Sequence, residues 1–141
     1  MKYLLDTNVI SEARKPAGDP AVKAWLRRQA PQDLAISVIT VLEIDIGIHR
    51  LRRRDPAASA SIEQWLDDRV LTGFRGRILS IDIACARRAA PMHVPDPVPD
   101  RDALIAGTAL VHGLVVVTRN AKDFGRTGVA VLNPWEPQSS G

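Results

Sequence analysis

The sequence predicts an α/β fold in three layers, with helices on both faces of a mostly parallel central sheet. Short apolar runs of strand length alternate with helical patterns along the chain. Four of the five runs are nearly all apolar, as expected for strands that are covered on both faces. Strands that alternate with helices are joined by right-handed crossovers, which place the strands in one parallel sheet.

The predicted strands are short and rich in leucine and β-branched residues. In chain order they are KYLL, LAISV, RILSI, LVVVT and VAVLN. A chain of 141 residues with 45% hydrophobic and 25% charged residues has the profile of one globular domain. There are no internal repeats, and no shift in composition marks a domain boundary.

Three segments carry a clear helical pattern. The first begins at Pro20 behind Asp19, which has the side chain of a typical N-cap. The second has four apolar residues at helical spacing, namely Ile62, Trp65, Leu66 and Val70. The third begins near Asp102 and ends at Gly113, because glycine is a common residue after the last helical turn.

Two segments are predicted to lack regular structure. The proline-rich stretch PMHVPDPVPD cannot be a helix or a central strand, so it is an ordered connection or a mobile flap. The C-terminal stretch NPWEPQSSG is predicted to be a fraying tail.

Cysteine and histidine usage excludes some classes of site. The single cysteine, Cys85, cannot form an internal disulfide and is expected to be a small apolar residue in a reduced protein. His49, His93 and His112 fall on or near three different elements and form no ligand pair in the sequence, so surface or capping roles are expected for them rather than catalysis. The chain has no apolar run of about 20 residues and no signal-peptide core, which predicts a cytoplasmic protein away from the membrane.

The basic residues are clustered. The formal net charge is only +3, but arginines adjoin one another at 27–28, 52–54 and 87–88, whereas several acids are isolated. Such a surface would suit a polyanionic partner. Arginine runs on amphipathic helices are also common as solvated faces, so charge alone leaves both interpretations open.

Polar residues follow several predicted strands. Asp6 follows the first strand, Glu43 is predicted in the first turn of the helix after the second, Asp102 begins the helix before the fourth, and Asn120 follows the fourth. In a parallel α/β sheet, strand ends and helix starts share the edge where ligands bind. We therefore expect these four side chains to lie at one edge.

Clustered carboxylates require compensation. At about 5 Å and an effective dielectric constant of 20, each pair of carboxylates repels by roughly 3 kcal/mol. A divalent cation removes this penalty, and oxygen ligands without histidine or cysteine favour Mg²⁺ or Mn²⁺. Such an ion can activate water and stabilise the charge on a phosphate under attack.

Each acid also has a structural explanation. Thr40 and Glu43 fit the capping box T-x-x-E, in which glutamate satisfies backbone N–H groups at a helix start. Asp102 is equally favourable as a negative charge at a helix N-terminus, and Asp6 can cap a helix that begins at Thr7. Local sequence does not decide between capping and metal binding.

Three motifs in order resemble one known family. The segments LLDTNVIS, ISVITVLEIDIGI and PDRDALIAGTALVHGLVVVTRNAKDF, followed by VAVLNPW, are similar to PIN-domain ribonucleases of the VapC toxin type, close to the FitB-like subgroup. The resemblance places a PIN domain at residues 1–135 and a flexible tail at 136–141. It implies an Mg²⁺- or Mn²⁺-dependent endoribonuclease that cleaves cellular RNA to arrest growth. It further implies a cognate antitoxin and a homodimer as protein partners.

The resemblance also assigns roles by position. Asp6, Glu43 and Asp102 match the three acids that the family uses for catalysis and metal binding. Asn8 and Thr118 match polar positions that support these acids.

The fourth acid of the family is replaced here. Many relatives have aspartate directly after the T-R pair, where this chain has Asn120, and Asp123 lies three residues further on. Asn120 retains a carbonyl oxygen without the charge, so either Asn120 or Asp123 is the candidate fourth ligand.

Two other function classes fit parts of the pattern. A signalling receiver domain also has an acid after its first strand and another after its third, where Asp82 follows RILSI. A receiver usually has an adjacent pair of acids after strand one, and it leaves Glu43 and Asp102 unexplained. The other class is a PIN-like module that binds a partner without catalysis, which the loss of the fourth acid at Asn120 would suit.

Overall fold

The computed structural model describes residues 1–137, which contain a five-stranded parallel sheet in the order β3-β2-β1-β4-β5. All five predicted strands are confirmed. They are β1 (Tyr3–Leu5), β2 (Leu34–Ser37), β3 (Ile78–Leu79), β4 (Val115–Val117) and β5 (Val131–Leu132).

Helices cover both faces of the sheet. They are α1 (Thr7–Arg14), α2 (Pro20–Arg28), α3 (Val38–Arg52), α4 (Pro56–Trp65), α5 (Ile83–Ala89) and α6 (Asp100–His112). Short 3₁₀ turns lie at Pro31–Asp33, Ala90–His93 and Ala121–Phe124, and α4 continues into a π-helical turn at Leu66–Leu71. The three predicted helices correspond to α2, to α4 with its π-helical turn, and to α6.

Alternate strand residues build two separate cores. Leu4, Ala35 and Val116 point to the face covered by α5 and α6. Their neighbours Leu5, Ile36 and Val117 point to the opposite face, where α1 to α4 pack. Since side chains alternate along a strand, covering both faces requires strands that are apolar throughout, as the sequence predicted.

The strand order defines where a ligand would bind. From β1 the chain first builds β2 and β3 on one side and then β4 and β5 on the other. The sheet therefore has its topological switch point between β1 and β4, and open α/β sheets bind ligands beyond the strand ends at such a point. A receiver domain has the order 2-1-3-4-5, in which the first strand adjoins the third. The observed order contradicts the receiver alternative.

The capping-box prediction for Thr40 and Glu43 is wrong. Helix α3 begins at Val38, and its N-cap is Ser37, whose hydroxyl accepts a 3.0 Å hydrogen bond from the Ile39 N–H. Ser37 ends β2 with extended backbone, so its side chain caps the helix before Thr40 is reached. Glu43 lies in the second turn of α3, not in the first turn as predicted, and is free of the capping role.

The other predicted helix ends are confirmed. Asp19 caps α2 through a 2.8 Å hydrogen bond from the Ala21 N–H, and Asp6 caps α1 through the Thr7 N–H. Gly113 ends α6 in the left-handed conformation, with φ of 68°, which glycine adopts without a steric penalty.

The C-terminal stretch is ordered over its first residues, contrary to the prediction of a tail from Asn133. Trp135 packs against the core on the α1-to-α4 side, and the Arg119 guanidinium lies 5.3 Å from its ring centroid. Burial of the indole and its contact with arginine outweigh the local preference for disorder. Residues 138–141 of the predicted tail lie outside the described part of the chain.

The proline-rich stretch is mostly a connection without regular structure. It opens with the 3₁₀ turn Ala90–His93, and the last residue of the stretch, Asp100, begins α6. No helix within residues 1–137 is long and apolar enough to cross a membrane.

Candidate active site

Asp6 lies at the carboxyl end of β1, beside the switch point of the sheet. Its side chain is 7% exposed, and its N–H donates a 2.8 Å hydrogen bond to the carbonyl of Val117 on β4. Oδ1 accepts from the Thr7 N–H at 2.8 Å, and Oδ2 accepts from the Thr118 hydroxyl at 2.8 Å. Burial raises the pKa of Asp6 above its ordinary value, although hydrogen bonds from Thr118 and Thr7 oppose that shift.

Thr118 and Asn8 form a polar support around Asp6. The Asn8 amide lies 3.4 Å from Asp6 Oδ2 and 3.3 Å from the Thr118 hydroxyl, as a donor to both. The backbone N–H of Asn120 donates to the same hydroxyl at 3.0 Å, and the N–H of Arg119 donates to Asn8 Oδ1 at 3.2 Å. The two positions predicted to support the acids therefore contact Asp6 directly.

Glu43 reaches the same site from the second turn of α3. Its Oε1 accepts a 2.7 Å hydrogen bond from the Thr7 hydroxyl, which also lies 3.2 Å from the hydroxyl of Thr40. Its Oε2 lies 3.5 Å from the Arg101 guanidinium. Thr7 thus links the first acid to the second, because its backbone N–H contacts Asp6 and its side chain contacts Glu43.

Asp102 lies in the first turn of α6 and is partly buried. The pKa of Asp102 is raised to about 6, first by burial and then by the charges of Asp6, Asp123 and Glu43 in that order. No donor among residues 1–137 gives the Asp102 carboxylate a hydrogen bond. The three predicted acids therefore act on one another electrostatically, and one of them lacks compensation.

The donor chemistry of this cluster fits a hard divalent cation. The acids supply only oxygen, and the repulsion felt by Asp102 is the penalty that such an ion would relieve. Over the described residues, no three Asp, Glu, His or Cys side chains already stand together as a complete metal-binding group. Asp6 and Glu43 are already held by donors of the chain, whereas the Asp102 carboxylate is not.

The two candidates for the fourth ligand differ in surroundings. Asn120 is exposed, precedes the 3₁₀ turn Ala121–Phe124, and uses its backbone N–H rather than its side chain toward Thr118. Asp123 lies within that turn, and its charge contributes to the raised pKa of Asp102. The electrostatic interaction with Asp102 favours Asp123 as the fourth ligand.

Sequence reasoning missed two residues of the site. Thr7 stands between two predicted residues in the DTN triplet, and only the fold shows that its hydroxyl meets Glu43. Arg101 directly precedes Asp102, and its contact with Glu43 spans 58 residues of sequence. The adjacency of each to a predicted acid was the only local signal.

The remaining titratable candidates lie elsewhere. Asp82 is the N-cap of α5, and the hydrogen bond from the Cys85 N–H, 2.9 Å long, lowers the pKa of Asp82. His49 and His112 are exposed, and His93 lies 3.7 Å from the Asp100 carboxylate.

Comparison with known proteins decides the family. The sequence profile of the PIN domain family matches residues 3–130, which is nearly the whole chain. The chain belongs to the PIN domain family. The acids at the switch point, Asp6, Glu43 and Asp102, lie within the matched residues, and we refer to them as the acidic edge.

Individual relatives are similar over almost their full length. This PIN domain is 36% identical over 141 residues to the VapC ribonuclease Y4jK of Sinorhizobium fredii, covering 95% of this chain and 98% of the relative. It is 37% identical over 138 residues to the toxin FitB of Neisseria gonorrhoeae, covering 94% and 97%. The crystal structure of FitAcB from the same organism superposes with a TM-score of 0.88 at 35% identity, covering 96% of this chain and 99% of that one.

Proposed function

We propose that this PIN domain protein is a metal-dependent endoribonuclease and the toxin of a toxin-antitoxin pair. The observation that carries the proposal is that the fold brings Asp102 close enough to Asp6, Glu43 and Asp123, at the switch point of the sheet, for their charges to repel its own. Family membership and similarity to proteins named as a ribonuclease and a toxin support the choice of RNA as substrate.

Asp6 and Asp102 would hold the metal ion, with Glu43 as the third acid and Asp123 or Asn120 as the fourth group. When bound, Mg²⁺ or Mn²⁺ supplies an activated water and neutralises charge on the phosphate. An all-oxygen set favours these ions over zinc.

The chain's own residues orient this site. Thr118, Asn8 and the Thr7 N–H fix the Asp6 carboxylate, so its oxygens keep one direction without reorganisation. The Thr7 hydroxyl and Arg101 hold Glu43 beside it. Arg101 is also the cation nearest to the acids in these contacts, where a phosphate of the substrate would approach.

Exposed arginines can bind the RNA backbone. Arg101 and Arg119 lie beside the acidic edge, and the contact with Trp135 limits the movement of the Arg119 guanidinium. Phosphate contacts give affinity that depends on salt and carries no base sequence. A cytoplasmic location follows from cellular RNA as the substrate.

The proposed protein partners are a cognate antitoxin and a second copy of the chain. Several large apolar side chains are exposed on the described surface, including Ile83 at 79% and Leu42 at 46%. Light scattering at graded protein concentrations would measure the oligomeric state directly.

The repulsion among the carboxylates at the switch point disfavours the alternative of a PIN-like module without catalysis. Keeping several carboxylates in mutual repulsion destabilises the fold, and a module that only binds a partner gains nothing from it.

Incubation of the full-length protein with end-labelled RNA tests the proposal. We expect cleavage in Mg²⁺ or Mn²⁺, none in EDTA, and recovery when excess metal is restored. A D102N variant purified in parallel controls for contaminating nucleases and should be inactive. Cleavage that persists in chelator, or that D102N retains, would overturn the proposal.

A further inference from the structure

A groove opens next to the acidic site, between α1, α3 and α4. It has a volume of about 250 Å³, and its walls include the apolar side chains of Ile44, Ile48 and Ile62. Thr7 and Glu43 line the same groove, so it is continuous with the proposed catalytic residues.

One wall of the groove lacks a side chain at Gly47, in the middle of α3. Gly47 lines the groove, and a Cβ added there would meet no neighbouring group within 4 Å. Packing therefore does not require glycine at this position, although glycine weakens a helix interior. The absence of a side chain keeps the groove clear.

Arginine and tryptophan side chains also line the groove. Arg14 and Arg54 are exposed lining residues, and Trp65 is partly buried. The Arg14 guanidinium lies over the indole of Trp65, 5.7 Å from its ring centroid. The helix changes to π geometry directly after Trp65, at Leu66–Leu71. Such turns are rare in proteins, and those that occur are often found at functional sites.

We propose that this groove is a subsite for one base of a single-stranded RNA bound across the acidic site. The inference rests on the proposed function, because it places the groove beside the phosphate that is cleaved. The apolar walls and the Arg14–Trp65 pair would stack the base, and Arg54 would contact a neighbouring phosphate.

Charge and size favour a nucleotide over an apolar peptide as the occupant. The volume lies below the roughly 300–1,000 Å³ of typical small-molecule pockets, which suits one planar group. An apolar peptide would desolvate Arg14 and Arg54 without compensation, whereas an RNA strand brings both a planar base and phosphates.

Binding in EDTA tests the subsite without cleavage. Fluorescence anisotropy would compare a short RNA oligonucleotide with its counterpart that lacks all bases, so that the affinity ratio reports the bases alone. Gly47→Met fills the groove, and Gly73→Met is the matched control, since Gly73 is an exposed glycine at which an added Cβ also meets nothing within 4 Å. Arg14→Gln is a second variant that removes the guanidinium from the Trp65 ring.

We expect Gly47→Met to weaken binding of the RNA about tenfold and to leave binding of the base-free strand unchanged. Arg14→Gln should reduce the same ratio, and Gly73→Met should alter neither affinity. The melting temperature of Gly47→Met should equal or exceed that of the parent, because methionine is the better helix former.

If Gly47→Met leaves the ratio of the affinities for RNA and for the base-free strand unchanged, the groove is not a base subsite. The same result is expected if the groove instead binds a protein. If the parent cleaves RNA and Gly47→Met leaves this affinity ratio unchanged, the subsite is rejected while the proposed nuclease stands. Base-dependent binding by an intact parent that never cuts RNA would support the subsite and reject the proposed nuclease.

Discussion

The Thr118 hydroxyl lies 2.8 Å from Oδ2 of Asp6 and joins the residue that follows β4 to the residue that follows β1. The two residues are 112 positions apart in the sequence and meet at the switch point of the sheet. Because both side chains are buried, this hydrogen bond fixes the direction of the first acid.

Replacing Thr118 by valine tests that role. The substitution keeps the shape of the side chain but removes the hydroxyl from a buried carboxylate, which should lower the free energy of unfolding by about 1.5–3 kcal/mol at pH 7. Urea unfolding measures the change. Thr118→Ser retains the hydroxyl and should be closer to the parent; a valine variant as stable as the parent would show that Asp6 does not depend on this donor.

Asp102 should make the metal-free protein less stable as the pH rises. The pKa of Asp102 is about 6 in the folded chain against 3.8 ordinarily, so the folded state binds more protons between these values. The free energy of unfolding contributed by this group therefore falls as the pH rises from about 4 through 6. In urea unfolding in EDTA, the free energy of unfolding of Asp102→Asn relative to that of the parent should be higher at pH 7 than at pH 4. A difference between the two proteins that does not change with pH would contradict this account.

Asp123 and Asn120 can be separated by metal titration. Since the charge of Asp123 acts on Asp102, Asp123→Asn should weaken Mn²⁺ binding about tenfold in calorimetry. Asn120→Asp adds a carboxylate near the same edge and should strengthen binding. Full affinity in Asp123→Asn, with a loss in Asn120→Ala, would instead assign the fourth position to Asn120.

Two helical glycines should respond oppositely to alanine. Gly47 has open space around an added Cβ, so Gly47→Ala should raise the free energy of unfolding by about 0.5–1 kcal/mol. At Gly107 an added Cβ would lie 2.7 Å from the carbonyl oxygen of Cys85 on α5, and Gly107→Ala should lower stability by about 1–3 kcal/mol. Thermal unfolding of both variants checks the pair, and a stabilised Gly107→Ala would mean that α5 and α6 separate easily.

The sequence predicted the strands and the shared edge because both depend on local pattern. Strands such as β4 are covered on both faces, so they are marked by continuous apolar runs, and the sequence order of strands and helices dictates which ends meet. The start of α3 was misplaced for a local reason as well. Ser37 and Thr40 are both good N-cap residues, and only the end of β2 at Ser37 decides between them.

Contacts between distant residues could not be predicted from local pattern. The pairing of Thr7 with Glu43 and of Arg101 with Glu43 depends on how α1, α3 and α6 pack at the edge. Trp135 was assigned to a tail because its neighbours are typical of loops, whereas its burial depends on the core and on Arg119.

In the proposed function, the acids at the switch point carry out metal-dependent cleavage of RNA. The most direct measurement is the rate of RNA cleavage in Mn²⁺ by Asp6→Asn and Asp102→Asn beside Asp67→Asn, which changes an exposed acid in the π-helical turn at Leu66–Leu71. We expect the first two variants to fold and to lose at least about a hundredfold in rate, because electrostatic stabilisation of the reaction is removed, and the third to cleave like the parent. Parental rates in folded Asp6→Asn and Asp102→Asn would contradict the proposed function.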